Sequence, residues 1–461
     1  MEKKLEEHPA RKAEYANTSK ESDIEDGSSF LAEVQSLRLS LRGPRLTAAI
    51  AFVTGTGFTL FGYDQGVMSS LLTAKQFENT FPEVVIDNAH RNHATLQSLL
   101  VAIYEIGCLI GALSNLWIGD RLGRRRTIVL GGVVMIIGAI LQATSFSYAH
   151  MLVARVITGL GNGLNTSTVP AYHAECSPAA RRGSLIMIEG SLITFGIMVS
   201  FWAEGSSAQW RAPIAIQIIF ALIMVLAIGF LPESPRWLLK AGRPAEAMAV
   251  ISALEDKPPT DANVKQTFEA IREAVIAEGL DAGNAVSSPG SEKSQSTKAS
   301  LRELFTSAGI TSTFTGATGL LMSPFKITGI NIITYYATLL FERLQISDTK
   351  SRIIAACNAT EYFMASFIAV FLIERVGRRK LMFFGSSGQT CTMILLAILG
   401  SINNSPARII SAILLFVFNS FFAVGWLGMT WLYPAEIVGL RMRGPANALS
   451  TVLFYFWGRE N

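Results

Sequence analysis

A chain of 461 residues that is 50% hydrophobic and 16% charged lies well below the roughly 25% charge of a soluble globular domain. Its formal net charge of +4 is carried by loops between apolar runs and gives no reason to expect a nucleic acid partner. The composition excludes a soluble enzyme or binding module and leaves an all-α membrane protein with the lipid bilayer as its solvent.

Residues 1–45 are polar and lack the apolar stretch of a secretory signal, so they read as a cytosolic N-terminus followed by an uncleaved first anchor. Apolar runs long enough to cross a hydrocarbon core of about 30 Å then follow at 48–72, 95–118, 127–148, 151–171, 184–203 and 212–231. A polar stretch over 232–306, ending in the linker-like "SSPGSEKSQSTKAS", separates these six from four more, at 311–341, 352–373, 381–401 and 408–433. An eleventh begins near Ala446 and is cut off at Asn461. The expected domains are therefore an N-terminal six-helix bundle over 46–231, a cytosolic loop over 232–306 and a truncated C-terminal bundle over 307–461.

Basic residues collect on alternate loops: Arg121 with Arg124 to Arg126, Arg181 with Arg182, Arg236 with Lys240, Arg375 with Arg378 to Lys380, and Arg441 with Arg443. The positive-inside rule puts these loops and the N-terminus in the cytosol. Cys108, Cys176, Cys357 and Cys391 form no legible disulfide framework and read as packing residues.

The two halves repeat. "GDRLGRRR" follows the second span and "IERVGRRK" the eighth, while Glu175 precedes Arg182 by the same seven residues that separate Glu436 from Arg443. Duplicated halves with a site between them at the midplane are a transporter architecture. The acidic and basic residues of these motifs, Asp120, Arg121, Arg125, Glu175, Arg182, Glu374, Arg375, Arg379, Glu436 and Arg443, are expected to form a cytosolic gate of partly solvated ion pairs.

"GYDQG", "GDRLGRRR", "RVITGLGNG", "PAYHAECSPAARRG", "PESPRWL", "GINIITYY", "ERVGRRK" and "WLYPAEIVGLRMRG" occur in this order over about 46–451. In that order the chain resembles the sugar porter family of the major facilitator superfamily. "IEGSLITFGI" and "CNATEYF" are similar to the fungal subgroup of hexose, disaccharide and glycerol proton symporters. The resemblance implies two six-helix bundles, alternating access, no cofactor or metal, and residence in the plasma membrane.

Six charged residues, Asp64, Glu105, Arg155, Glu189, Lys326 and Glu361, fall within spans. At about 3 kcal/mol each they must be paired, protonated or facing water. By resemblance, Asp64 and Arg155 match the family's proton-coupling pair, which makes protons a transported partner. Glu105 and Glu361 stay open between structural and functional roles.

A polyhydroxylated solute needs hydrogen-bonding groups and an aromatic face. The resemblance assigns Asn331, Tyr335, Tyr336 and Trp431 to the cavity; Trp426 is one further candidate, against the reading of a lipid-facing or core tryptophan. Where sugar-binding members have two glutamines this chain has Phe325 and Lys326, and the fifth-helix glutamine aligns with Gly190, beside Glu189. Lys326 and Glu189 are therefore expected to face the cavity, and the three lost amides make a small polyol a rival to a hexose as the solute.

Family members continue beyond Thr451 through the eleventh and a twelfth span, so a truncated or mispredicted product is expected. No nucleophile elbow, metal cluster or phosphate loop is present in the sequence, so an enzyme is not expected. The competing expectations are a nutrient sensor without flux and an inactive truncated transporter.

Overall fold

The computed structural model describes residues 30–37, 39–85, 92–177, 182–204, 210–284, 329–402 and 404–429. Among them every regular element is helical. The first six long helices are α1 (Gly43–Leu71), α2 (His93–Leu122), α3 (Arg124–Ala143), α4 (Tyr148–Cys176), α5 (Arg182–Glu204) and α6 (Arg211–Ile228). Three further helices follow, α7 (Pro235–Lys240), α8 (Pro244–Glu255) and α9 (Ala262–Asn284). The second half shows α10 (Ile330–Tyr335), α11 (Ala337–Arg343), α12 (Asp348–Val376), α13 (Arg378–Gly400) and α14 (Ser405–Phe422), which runs into a π-helical turn over Ala423–Leu427.

Eight helices among the described residues are long and apolar enough to cross a membrane. With no water to satisfy backbone groups in lipid, such runs close their hydrogen bonds internally. α4 is as long as the others but more polar, because it buries Arg155, Asn162, Asn165 and His173 within the protein. Local signals set the ends. The Ser147 hydroxyl caps α4 at the His150 amide (3.3 Å), and Asn404 caps α14 at the Ala407 amide (2.9 Å).

The internal repeat has a backbone counterpart. Gly123 (φ 87°, ψ 171°) and Gly377 (φ 89°, ψ 154°) break the chain after the second and eighth spans. That region is open essentially to glycine alone. Each amide returns to a carbonyl four residues back, Gly119 (3.2 Å) and Ile373 (3.3 Å).

Within the first half, α1 packs on α5 and α6, while α4 packs on α2 and α3. Gly107 and Gly111 of α2 face Gly159 and Gly163 of α4; a Cβ on Gly163 would stand 2.1 Å from the Cys108 carbonyl oxygen. Small residues thus let the two backbones touch. The halves meet where α5 lies on α12 and α1 on α10 and α11. Phe195 and Phe363 pack with tilted rings 5.4 Å apart between centroids, the Trp202 indole donates to Thr360 (2.9 Å), and Arg352 donates to the Thr73 carbonyl (2.6 Å).

Phe52, Ile219, Leu226, Phe371, Ile394 and Ile413 project outward. Leaving such side chains in water forgoes about 1.5–3 kcal/mol apiece, so this belt suits lipid.

In the polar stretch after α6, α7 to α9 build a separate small core from Leu238, Met248, Ile251, Val264 and Phe268, joined by Val34. Two sequence expectations are revised. The apolar run expected to be one helix to residue 341 is broken at Tyr336 (φ −121°, ψ 19°). All four cysteines are free, but only Cys108 and Cys176 are buried packing residues; Cys357 and Cys391 are exposed on helix faces.

Candidate functional site

The α2–α4 crossing places Arg155 of α4 against the turn of α2 that precedes Glu105. Its Nε donates to the Leu100 carbonyl (3.2 Å) and Nη2 to that of Val101 (3.5 Å), and its guanidinium lies 4.8 Å over the Tyr104 ring. Asp64 of α1 approaches the same guanidinium, with Oδ1 3.8 Å from Nη1; both side chains are fully buried. That separation is an ion pair without a hydrogen bond, and Nη1 has no hydrogen-bond partner among the described residues. The hydrogen bond to Asp64 Oδ1 comes instead from the Gln217 amide of α6 (2.9 Å).

Glu105 lies close enough for its charge to act on Asp64. Its Oε1 accepts a hydrogen bond from the Tyr335 hydroxyl (2.8 Å), across the divide between the halves. Asp64 pairs with Arg155 while Glu105 is held by Tyr335, so two carboxylates lie in one buried region with this guanidinium. A second ionised carboxylate there is expensive to bury, and one added proton lowers that cost.

Of the residues expected to face a solute, Asn331 and Tyr336 are half-buried on α10 and at its end, while Tyr335 is buried and engaged with Glu105. Glu189 is 2% exposed and contacts His173 of α4, inside the first bundle. Gly190, next to it, abuts the tenth span: a Cβ there would lie 3.2 Å from Gly428 Cα. Trp426 is core, its indole donating to Ser386 (3.0 Å). Lys326, Trp431, Glu436 and Arg443 lie outside the described residues, as does the side chain of Arg182.

At the end carrying the basic loops, the residues gather within each half. Arg124 bridges Glu175 (3.3 Å) and Asp120 (3.4 Å), and Lys240 of α7 reaches the other Asp120 oxygen (3.3 Å). Burial works to raise Asp120, but Lys240 and Arg124 outweigh it and hold the carboxyl below its ordinary range. Glu175 is likewise pushed up by burial and brought down further by Arg124 and by the Ser234 hydroxyl (2.5 Å). Glu233 accepts from the amides of Arg124 (3.0 Å) and Arg125 (3.1 Å) at the start of α3. In the second half Glu374 pairs with Arg378 (3.3 Å). Arg121 and Arg375 are exposed, Arg379 lies 5.6 Å over the Phe383 ring, and the Arg125 side chain donates to the Gly229 carbonyl.

The expected site residues leave out Arg124, Gln217 and His173, although Arg124 and His173 stand inside the motifs. Arg124 stands in a run of three arginines, of which only the fold selects the one that meets Glu175. Gln217 has a usable signal, a lone amide in an otherwise apolar span.

The profile of the family described as Sugar (and other) transporter matches residues 49–458. The chain is 37% identical over 426 residues to the sugar transporter STL1 of Saccharomyces cerevisiae, covering 89% of this chain and 72% of that one. It is 38% identical over 423 residues to the MFS-type transporter oryC of Aspergillus oryzae, with coverage of 89% and 75%. Among solved structures, the partially occluded inward-open xylose transporter XylE from E. coli superposes with a TM-score of 0.69 at 22% identity, over 90% of this chain and 92% of that one. XylE bound to 6-bromo-6-deoxy-D-glucose gives 0.73 at 23% identity, over 90% and 86%. A buried carboxylate–arginine cluster set among paired helical bundles therefore sits in a multi-pass transporter of the major facilitator fold, and the chain belongs to the sugar (and other) transporter family.

Proposed function

We propose that the protein is a proton-coupled symporter of a sugar or small polyol, working by alternating access of two helical bundles in a plasma membrane with its N-terminus in the cytosol. Residues 46–231 form the first bundle, 232–306 a cytosolic loop and 307–461 the second bundle. The observation that carries the coupling is the buried group around Asp64: the Arg155 guanidinium stands 3.8 Å from it, and a second buried carboxylate, Glu105, lies close enough for its charge to act on it. Asp64 carries the proton, Arg155 stabilises its ionised form, and Tyr335 ties the cluster to α10, which also bears Asn331. Loading the proton lowers the cost of burying two carboxylates and permits the bundles to reorient with the solute.

The solute site uses Asn331, Tyr336, Trp431 and Lys326. The contact of Gly190 with Gly428 favours the smaller solute, because backbone fills the space where sugar-binding relatives place an amide. The basic-end residues Asp120, Arg121, Arg125, Glu175, Arg182, Glu374, Arg375, Arg379, Glu436 and Arg443 serve as the cytosolic gate, with Arg124 as its centre. Uptake of labelled glucose, xylose, lactose and glycerol in a transporter-null host, at two external pH values, tests substrate and coupling together. Accumulation of one of them above its external concentration, stronger at the lower pH, is expected; uptake that is equal at both pH values removes proton symport.

A further inference from the structure

α5 carries an acidic residue into the first bundle that takes no part in the Asp64 cluster. Glu189 Oε1 is in contact with Nδ1 of His173 on α4, and the Thr54 hydroxyl of α1 lies 3.4 Å from the same nitrogen. Both side chains are 3% exposed. Glu189 Oε2 and His173 Nε2 have no hydrogen-bond partner among the described residues. Thr54 and Asp64 are ten residues apart on α1, roughly 15 Å at 1.5 Å per residue, so this pair is a separate site.

We infer that His173 and Glu189 form a second proton-binding site, whose occupancy is linked to contact of the two bundles at Gly190 and Gly428. The inference rests on the alternating-access reading given above. With one proton the pair is neutral, whether the proton sits on nitrogen or oxygen. With none it strands a carboxylate, and with two an imidazolium; either net charge is costly in a dry interior. While the site is closed it therefore holds one proton.

The cover over this part of α5 comes from the tenth span. A Cβ on Gly428 would stand 2.3 Å from Met187 Sδ, and one on Gly190 would stand 3.2 Å from Gly428 Cα, so a single turn of α5 bears both the acid and the crossing. When the bundles part, water reaches that turn and the one-proton restriction lapses. Histidine is the side chain that exchanges protons between about pH 5 and 8, so flux becomes sensitive to pH on the basic side.

Neighbouring elements supply no competing charge among the described residues. α1 presents Thr54, and α12 presents Ser366 to Thr194 (3.4 Å) and Thr360 to Trp202. Glu361 of α12 is engaged by the Ser420 hydroxyl, and the tenth span offers Leu427 and Gly428.

The test uses the full chain in lipid vesicles and two readouts. Mass spectrometry of deuterium exchange at the imidazole C2 position follows each of the five histidines separately between pH 5 and 8. Glu189→Gln is expected to move the His173 midpoint, and Asp64→Asn to leave it in place. A midpoint unmoved by Glu189→Gln, or moved equally by Asp64→Asn, overturns the second site. Counterflow of labelled glycerol and xylose is then measured with the basic side at pH 5.5 and 7.5. At least a twofold difference is expected in the parent and its loss in His173→Gln, whereas the same profile in both overturns the link to bundle contact. Absence of counterflow in the parent would remove the transport reading while the histidine midpoint still decides the site.

Discussion

Two arginine–carboxylate groups of the first half use the same residue types under opposite conditions. Around Arg155 the interior is dry, Asp64 stands 3.8 Å off, and the guanidinium spends its hydrogen bonds on backbone carbonyls. Around Arg124, at the partly wet basic end, Glu175 engages both Nε and Nη2 of the guanidinium, and Asp120 is shared with Lys240. Coulomb attraction is stronger where the dielectric is low, yet it is the dry pair that is loosely made. A loose pair in a dry place suits a charge that changes, as proposed for Asp64; a well-bonded pair in a wetter place suits one that holds.

Removing the dry cation tests this most severely. Arg155→Met strands Asp64 without its counter-charge, and breaking a buried pair this way costs about 3–5 kcal/mol. The variant is expected to melt far below the parent in a thermal-shift assay, with part of the loss recovered by adding Asp64→Asn. A single variant that melts with the parent would erase the distinction between the two groups. Asp64→Asn alone acts differently, since the amide keeps the size of the side chain and its contact with Gln217. Uphill accumulation should disappear while exchange down a gradient persists; uphill uptake retained by the variant would take the proton off Asp64.

Acid separates the two groups by a second route. Asp120 and Glu175 lie below their ordinary 3.8 and 4.5, so each contributes stability that is fully present above those values and is lost as pH falls through the folded-state values. The contribution of these two carboxylates should therefore be insensitive between pH 7 and 5 and should weaken below about pH 4.5. Thermal melts of detergent-solubilised protein down the pH scale, compared with Glu175→Gln, isolate the contribution. The variant should show a smaller acid-induced fall than the parent, and an identical fall would mean that Arg124 does not hold Glu175.

The contrast also explains how much the sequence makes legible. A charge inside an apolar run is so expensive that Asp64, Arg155 and Glu105 stand out in the bare sequence, and the spans and their duplication follow from hydropathy and from motifs at matching places. Neutral and weakly basic groups carry a fainter signal: the roles of Gln217 and His173 emerge only when α6 and α4 bring them to Asp64 and Glu189. The contact of Glu189 with His173 carries no signal in the sequence, because it depends on how α5 packs against α1 and α4. Of the adjacent arginines, 100° apart around a helix, only the tertiary placement of α3 selects Arg124. The break at Tyr336 lies in a continuous apolar run, where periodicity gives no signal for a break.

The smallest effect asks how redundantly the basic end is built. The Ser234 hydroxyl accepts from the Trp237 amide (3.3 Å), capping α7, and donates to Glu175 (2.5 Å). α7 in turn supplies Lys240 to Asp120, so this one side chain joins the cap of a six-residue helix to the ion pairs. Ser234→Ala loses an N-cap, about 1 kcal/mol, while Arg124 still holds Glu175. A small fall in melting temperature with the pH profile of Glu175 preserved is therefore expected. If the alanine variant instead reproduces the acid behaviour of Glu175→Gln, the hydroxyl rather than the guanidinium governs that carboxylate, and the basic end is held by its cap more than by its charges.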